Sequence, residues 1–299
     1  MTLLAVGCRL AETPRTTLSD PTIVYTSPRE HYVVLRGGEI EAVVVDNAAV
    51  DVAVLPGHAA GYAGLASLKH AKHDKNVFVP AYGGLNYEHI FDGTTQPRNV
   101  LFEPRRVPMH LRVIDEHTVE LHQPPTPHWR LESCIRYSLL ADETIEMVFQ
   151  CVPREKRFAN GYIGVFFASY IDHPESGAIH FMGHDAAGRR PRLIEATSPR
   201  HGLQATHLAA GDRREVKHVT DFPLSLVFNL SDYRFDEPWY YGVSHGPGLG
   251  VPRSGPRAVQ PVAHRRRRRL PGLGLPVVRR ELRGRQDLHL RHACVVPAV

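Results

Sequence analysis

The chain has 299 residues with 36 Lys+Arg against 31 Asp+Glu, a formal charge of +5, and its length suits one large β domain or two smaller ones. It contains no run of about eighteen apolar residues, so no transmembrane helix is expected. Its four cysteines include no Cys-x-x-Cys and are too few for a disulfide framework in a chain of this size. The positive charge sits at one end: residues 247–299 hold twelve Arg against two acidic residues, while residues 1–246 hold 24 Lys+Arg against 29 Asp+Glu. Composition therefore divides the chain into an N-terminal extension (1–24), a mildly acidic β-rich body (25–246) and an aberrant basic tail (247–299).

Met1 to Cys8 reads Met-Thr-Leu-Leu-Ala-Val-Gly-Cys, which resembles the end of a bacterial lipoprotein signal without its charged start or full apolar core. As written, the protein is expected to be cytoplasmic; a start codon upstream would make it exported or lipid-anchored. The body then reads as strands separated by turn residues, with almost no helical periodicity. Candidate strands are His31–Arg36, Ile40–Val45, Val77–Val79, His110–Ile114, Thr118–His122, Trp129–Leu140, Thr144–Val152, Tyr162–Ile171, Ala178–Met182, Glu215–His218, Leu224–Asn229 and Trp239–Ser244. Gly37-Gly38 marks a hairpin between the first two, because glycine tolerates the positive φ of primed turns. Residues 47–75 interrupt the pattern with a long irregular excursion, holding at most a short helix near Ala63–Ala71.

The alternation is clearest in the middle of the chain. If Asp142-Glu143 is a two-residue turn, facing positions sum to 285 and Cys134 opposes Cys151. Leu140, Ile145, Met147, Phe149 and both cysteines then share one mostly apolar face, which must meet a second layer. Two readings stand for the cysteines: buried thiols packing as small hydrophobes, or a strained disulfide.

Two segments concentrate chemistry. Asn86, Tyr87, Glu88 and His89 follow a Gly-Gly turn, and Asp92 lies just beyond. Strand alternation lets only one of Glu88 and His89 face a given cleft, and the cluster reads either as a site lined by His89 or as a structural pin for a loop. In Asp236 to Gly246, Trp239, Tyr240 and Tyr241 offer flat faces for a sugar ring, while Glu237 and His245 could exchange protons with hydroxyls. Core packing and interface burial explain such aromatic runs more often. His173, His180, His184, His201 and His207 invite a zinc reading, but a strand ending at Gly183 separates His180 from His184, so no metal is expected. Nucleotide-binding, serine-hydrolase and zincin motifs are absent from the sequence, and no cofactor is expected.

The tail supports two readings. One is an irregular or disordered basic arm, in which Arg265–Arg269 stay solvated and contact phosphates. The other is translation in the wrong frame of GC-rich DNA. Read one nucleotide later, Arg265–Arg269 become a glycine run, and Leu270–Glu281 and Asp287–Cys294 become aromatic, strand-like stretches. An out-of-frame tail would deprive the body of its last strands and leave a sheet edge open after residue 246. Either way the net acidic body argues against a nucleic-acid partner.

The segment Arg136-Tyr-Ser-Leu-Leu-Ala-Asp-Glu-Thr-Ile-Glu-Met-Val-Phe149 resembles a hairpin of galactose mutarotase-like (aldose epimerase-like) proteins. The strings Asn160-Gly-Tyr-Ile and Trp239 to Gly246 suggest an uncharacterised bacterial branch of that architecture. The resemblance implies an all-β fold, a large antiparallel β-sandwich (supersandwich), and a carbohydrate ligand on its concave face. It also implies metal-free acid/base chemistry, with His89 or His245 as acid and Glu88 or Glu237 as base. Asn86, Tyr87, Asp92, Trp239, Tyr240 and Tyr241 would be substrate-binding. The alternative is a non-catalytic structural or binding β-module.

Overall fold

The computed structural model describes residues 15–73, 75–188, 190–198, 203–204, 206–212, 215–223, 225–237, 240–242 and 244, together with the strand backbones of 277–280 and 288–295. The body opens with the expected hairpin, β1 (Tyr32–Gly37) and β2 (Ile40–Val45). Gly38 takes φ +56°, and a Cβ there would stand 2.1 Å from a Glu143 carboxylate oxygen. Short strands β3 (Val50–Val52) and β4 (Leu55–His58) follow, then β5 (Gly64–His70), which pairs antiparallel with β2. The helix expected near Ala63–Ala71 is therefore a strand. Its Gly, Ala and Lys content is poor for strands, but pairing with β2 and near-complete burial override that weak local preference.

Next come β6 (Asn86–Phe91), the single turns α1 (Arg98–Leu101) and α2 (Glu103–Arg106), then β7 (His110–Val113), β8 (Thr118–Gln123), β9 (Leu131–Leu139), β10 (Thr144–Pro153) and β11 (Tyr162–Ala168). The remaining elements are β12 (Ile179–His184), β13 (Arg192–Ala196), β14 (Thr206–Ala209), the turn α3 (Ser225–Phe228), β15 (Leu230–Phe235), β16 (Val277–Arg280) and β17 (Leu288–Val295). Leu224–Asn229, expected as a strand, thus contains a helical turn, and Glu215–His218 is irregular. The sheets are ordered β1-β2-β5, β17-β10-β9-β8-β7, β16-β11-β6, β13-β12-β15-β14 and β3-β4. Among the described strand pairs all but β14–β15 are antiparallel. The fold is all-β and sandwich-like: inner faces of several sheets meet in one core that includes Leu35, Leu65, Tyr87, Trp129, Tyr137 and Phe149. Each such side chain contributes about 1.5–3 kcal/mol by leaving water. Among the described residues no helix is long and apolar enough to cross a membrane.

The central hairpin differs from expectation by one residue. Ile145 faces Leu139 and Cys151 faces Ser133, so facing positions sum to 284. The loop has three residues, with Leu140 and Thr144 hydrogen-bonded at its base and Glu143 at φ +63°, the left-handed position typical of three-residue hairpin loops. A one-residue slip moves a strand's side chains to the other face. Cys151 therefore packs in the core, while Cys134, also buried, lies on the opposite face of the sheet and donates to Glu120 Oε2 at 3.2 Å, and no disulfide joins the two. Burial and the Glu120 charge push the Cys134 thiol above its ordinary range.

Part of the extension packs on the body: Thr16 is fully buried, and its N–H and the Ser19 hydroxyl donate to Gln150 Oε1 at 2.8 and 2.9 Å. In the tail, β17 runs along β10 from Thr144↔Val295 to Cys151↔Leu288, and β16 runs along β11. The sheet edges at β10 and β11 are thus covered rather than open, by segments overlapping the stretches that the shifted frame reads as strands. Gly84, in the turn before β6, is sterically committed: an added Cβ would stand 2.2 Å from the buried Phe78 ring. Gly84→Ala is expected to lower the unfolding free energy by about 1–3 kcal/mol, which urea denaturation would measure.

Candidate functional site

The site begins with an irregularity in β6. Phe166 of β11 faces His89, and its neighbour Phe167 faces Tyr87, which leaves Glu88 as the extra residue of a β-bulge. A bulge re-aims side chains. Here it sends Tyr87 and Ile90 into the main core and brings His89 Nε2 to 3.4 Å from Glu88 Oε2. The expectation that alternation separates Glu88 from His89 is corrected: the bulge suspends alternation at this point.

Glu88 is held from several directions. Tyr170, two residues past β11, donates its hydroxyl to Glu88 Oε1 at 2.5 Å, and Asn86 Nδ2 donates to the same oxygen at 2.9 Å. Arg105 of α2 brings Nη1 to 3.6 Å. Burial raises the proton affinity of Glu88, while the Tyr170 and Asn86 hydrogen bonds and the Arg105 and Arg98 charges pull the other way. His89 moves in the opposite sense: burial, then the charges of Arg105 and Arg98, lower its pKa to about 3. The imidazole is therefore neutral near pH 7. With its proton on Nε2, towards Glu88, the ring leaves Nδ1 as a buried acceptor without a partner. Burial and the Glu88 charge hold the Tyr170 phenol well above its ordinary range.

The walls join this pair to an open groove of about 1230 Å³. Phe102 packs edge-on against His89 at 4.0 Å, Arg105 stacks over Tyr62 at 3.8 Å and donates from Nε to the Gly61 carbonyl at 2.9 Å, and all three of Phe102, Arg105 and Gly61 line the groove. Tyr62, Tyr82 and Tyr170 form a cluster with ring centroids 4.8–5.6 Å apart. The chemistry available is a carboxylate of raised proton affinity beside a neutral imidazole, behind a wall of one arginine and one phenylalanine.

The structure brings Asn86, Glu88 and His89 together and distributes the other expected residues elsewhere. Tyr87 is fully buried, stacked on Phe167, and cannot reach a ligand from the groove. Asp92 pins a loop: its carboxylate accepts from Thr94 N, Thr94 Oγ1 and Ala159 N at 3.0, 2.5 and 2.6 Å. Glu237 is exposed, Tyr240 packs against the core, and Tyr241 stacks on His180 of β12 at 4.8 Å. Trp239 and His245 lie outside the described residues. The last described residue before the tail, Ser244, donates to the carbonyl of Asp172, two residues beyond Tyr170. Sequence reasoning missed Arg98, Arg105, Tyr62 and Tyr170. The signal available was the arginine-bearing stretch directly after β6.

Among the described residues the histidine cluster does not assemble around a shared point. His184 pairs with Asp236 at 3.0 Å, His173 with Asp172 at 3.0 Å, His207 packs on Phe181, and His201 lies outside the described residues. A different set, Glu39, His70 and Glu143, has metal-ligand spacing. Its chemistry fits an ion-pair knot better than a metal. Lys72 N–H donates to His70 Nδ1 at 3.1 Å, which leaves the ring proton on Nε2 facing Glu39 at 3.2 Å, and Lys72 Nζ occupies Glu39 at 3.1 Å.

No protein-family model, curated protein or solved structure matches the chain. Fold and site together define an all-β, sandwich-like protein with a buried carboxylate–imidazole pair at the wall of an arginine-lined groove.

Proposed function

We propose that the protein binds a carbohydrate in this groove and acts on it by acid/base chemistry of its own side chains, as an aldose-epimerase-like isomerase of the galactose mutarotase-like supersandwich class. The observation that carries this reading is the bulge that sets Glu88 beside His89 next to the groove. Glu88 would move the proton, since its raised proton affinity brings it closer to the working pH. The neutral His89 would steady Glu88 through its Nε2 proton, and Phe102 and Tyr25, which line the groove, offer apolar ring surface to the sugar. In Glu88→Gln, anomer exchange on aldoses, followed by NMR, is expected to fall at least about 100-fold while sugar binding persists. Unchanged exchange in this variant would remove the acid/base role.

A second reading, a non-catalytic carbohydrate-binding module, is favoured by burial: Glu88 and His89 are each only 4% exposed. It predicts saturable sugar binding in the wild-type protein with no acceleration of anomer exchange.

A further inference from the structure

We infer that the groove takes the acidic group of its ligand, so that the ligand is an oxyanion-bearing sugar whose carboxylate or phosphate is seated at Arg98 and Arg106. This rests on the sugar reading of the Glu88 site and names its substrate class. The groove inverts the charge of the body around it. Residues 1–246 carry more acidic than basic residues, yet the groove is lined by Arg29, Arg98, Arg105, Arg106 and Arg112 against the acids Glu30 and Asp46. Asp46 is already engaged, accepting from His31 Nδ1 and Ala48 N at 2.8 Å each. Like charges gathered against the trend of a domain focus a field on one place, and a neutral sugar has no use for it.

The guanidinium groups are also oriented. Arg98 lies over Phe102 at 4.2 Å, Arg105 over Tyr62 at 3.8 Å and Arg112 over Tyr25 at 4.7 Å. Stacking on a ring occupies the face of a guanidinium and leaves its N–H edge for in-plane bonds to an oxyanion. Arg105 spends that edge on Gly61 and Glu88, and Arg112 donates to Thr17 Oγ1 at 2.6 Å. Arg98 and Arg106 are exposed and have no acidic partner among the described residues. Arg98 stacks on the wall residue Phe102 and Arg106 follows Arg105 in α2, so an anion held there would place the rest of the sugar against the wall that stands before Glu88.

The test is calorimetric titration of the full chain with glucuronate, glucose 6-phosphate, glucose and inorganic phosphate, repeated on Arg98→Gln/Arg106→Gln. The basic tail is present in both proteins, so the difference between them reports the groove. At least one acidic sugar is expected to bind about tenfold tighter than glucose or more, and the double variant should lose that preference; comparing glucuronate with the phosphate ester tells which oxyanion is preferred. Both substituted positions are exposed, and Arg98→Lys/Arg106→Lys, which keeps the charges but not the planar forks, should retain only part of the preference. Equal binding of glucose and the acidic sugars, or a preference that survives the Gln substitutions, overturns the inference while leaving the sugar site standing. Phosphate binding through Arg98 and Arg106 with no sugar bound overturns the sugar reading and this inference together.

Discussion

Arg136→Met is expected to lower the unfolding free energy by about 3–5 kcal/mol, because it strands a buried carboxylate. Arg136 and Glu120 face each other across β9 and β8, and Glu120 is fully buried. Arg136 donates from Nε to Glu120 Oε1 at 2.8 Å, with Nη2 at 2.7 Å from the same oxygen but poorly angled. The other partners of Glu120 carry no charge: the Thr17 hydroxyl at 2.5 Å, the Thr17 N–H at 3.1 Å and the Cys134 thiol at 3.2 Å. Taking away only the cation leaves the desolvation cost of the anion without its main compensation. Replacing both residues, as in Glu120→Met/Arg136→Met, should recover much of the loss, since two apolar side chains carry no such cost. Urea titrations of the two variants measure this directly. A single variant within about 0.5 kcal/mol of wild type would mean that water reaches Glu120. The same network holds Thr16–Ser19 on the sheet, so the single variant should also become more sensitive to trypsin at Arg15.

The second large effect is acid destabilisation through His89. Its folded-state pKa, about 3, lies below the ordinary 6.5, so between these values the unfolded chain binds a proton that the folded protein refuses. Stability is therefore lost as pH falls below 6.5, by about 2 kcal/mol between pH 7 and pH 5 and more towards pH 3. Glu88 acts with the opposite sign: its raised affinity lets the folded state take up a proton before the unfolded state does. That gain appears only above the ordinary carboxylate value, and it opposes the His89 loss. Comparing wild type with His89→Asn isolates the imidazole, because the packing lost in the variant is a constant offset and only the slope against pH matters. Equal slopes would show that the folded protein protonates this ring freely and that Phe102 and Arg105 do not seal it.

How far the chain could be read in advance follows from the range of the forces involved. The alternation in Leu131–Leu139 and Thr144–Pro153 comes from neighbouring residues, as does the glycine turn at Gly37-Gly38, and both were legible along with the all-β class and the chemical promise of Asn86, Glu88 and His89. The register of that central hairpin was not. It turns on Glu143, whose carboxylate accepts from the Glu39 N–H at 2.7 Å, a contact with a distant hairpin that no local window contains. The strand at Gly64–His70 was hidden for the same reason, since its residues favour a strand only once β2 lies alongside. The site shows the division most sharply. Local chemistry supplied a carboxylate and an imidazole at adjacent positions, and a regular strand would have sent them to opposite faces. Pairing with β11 created the bulge that turned them together, and α2 and the residues just past β11 brought Arg105 and Tyr170 onto the carboxylate. Strand pattern and residue type are carried by neighbours along the chain, whereas register, bulge and the company a buried charge keeps depend on segments that meet only when the sheets pack.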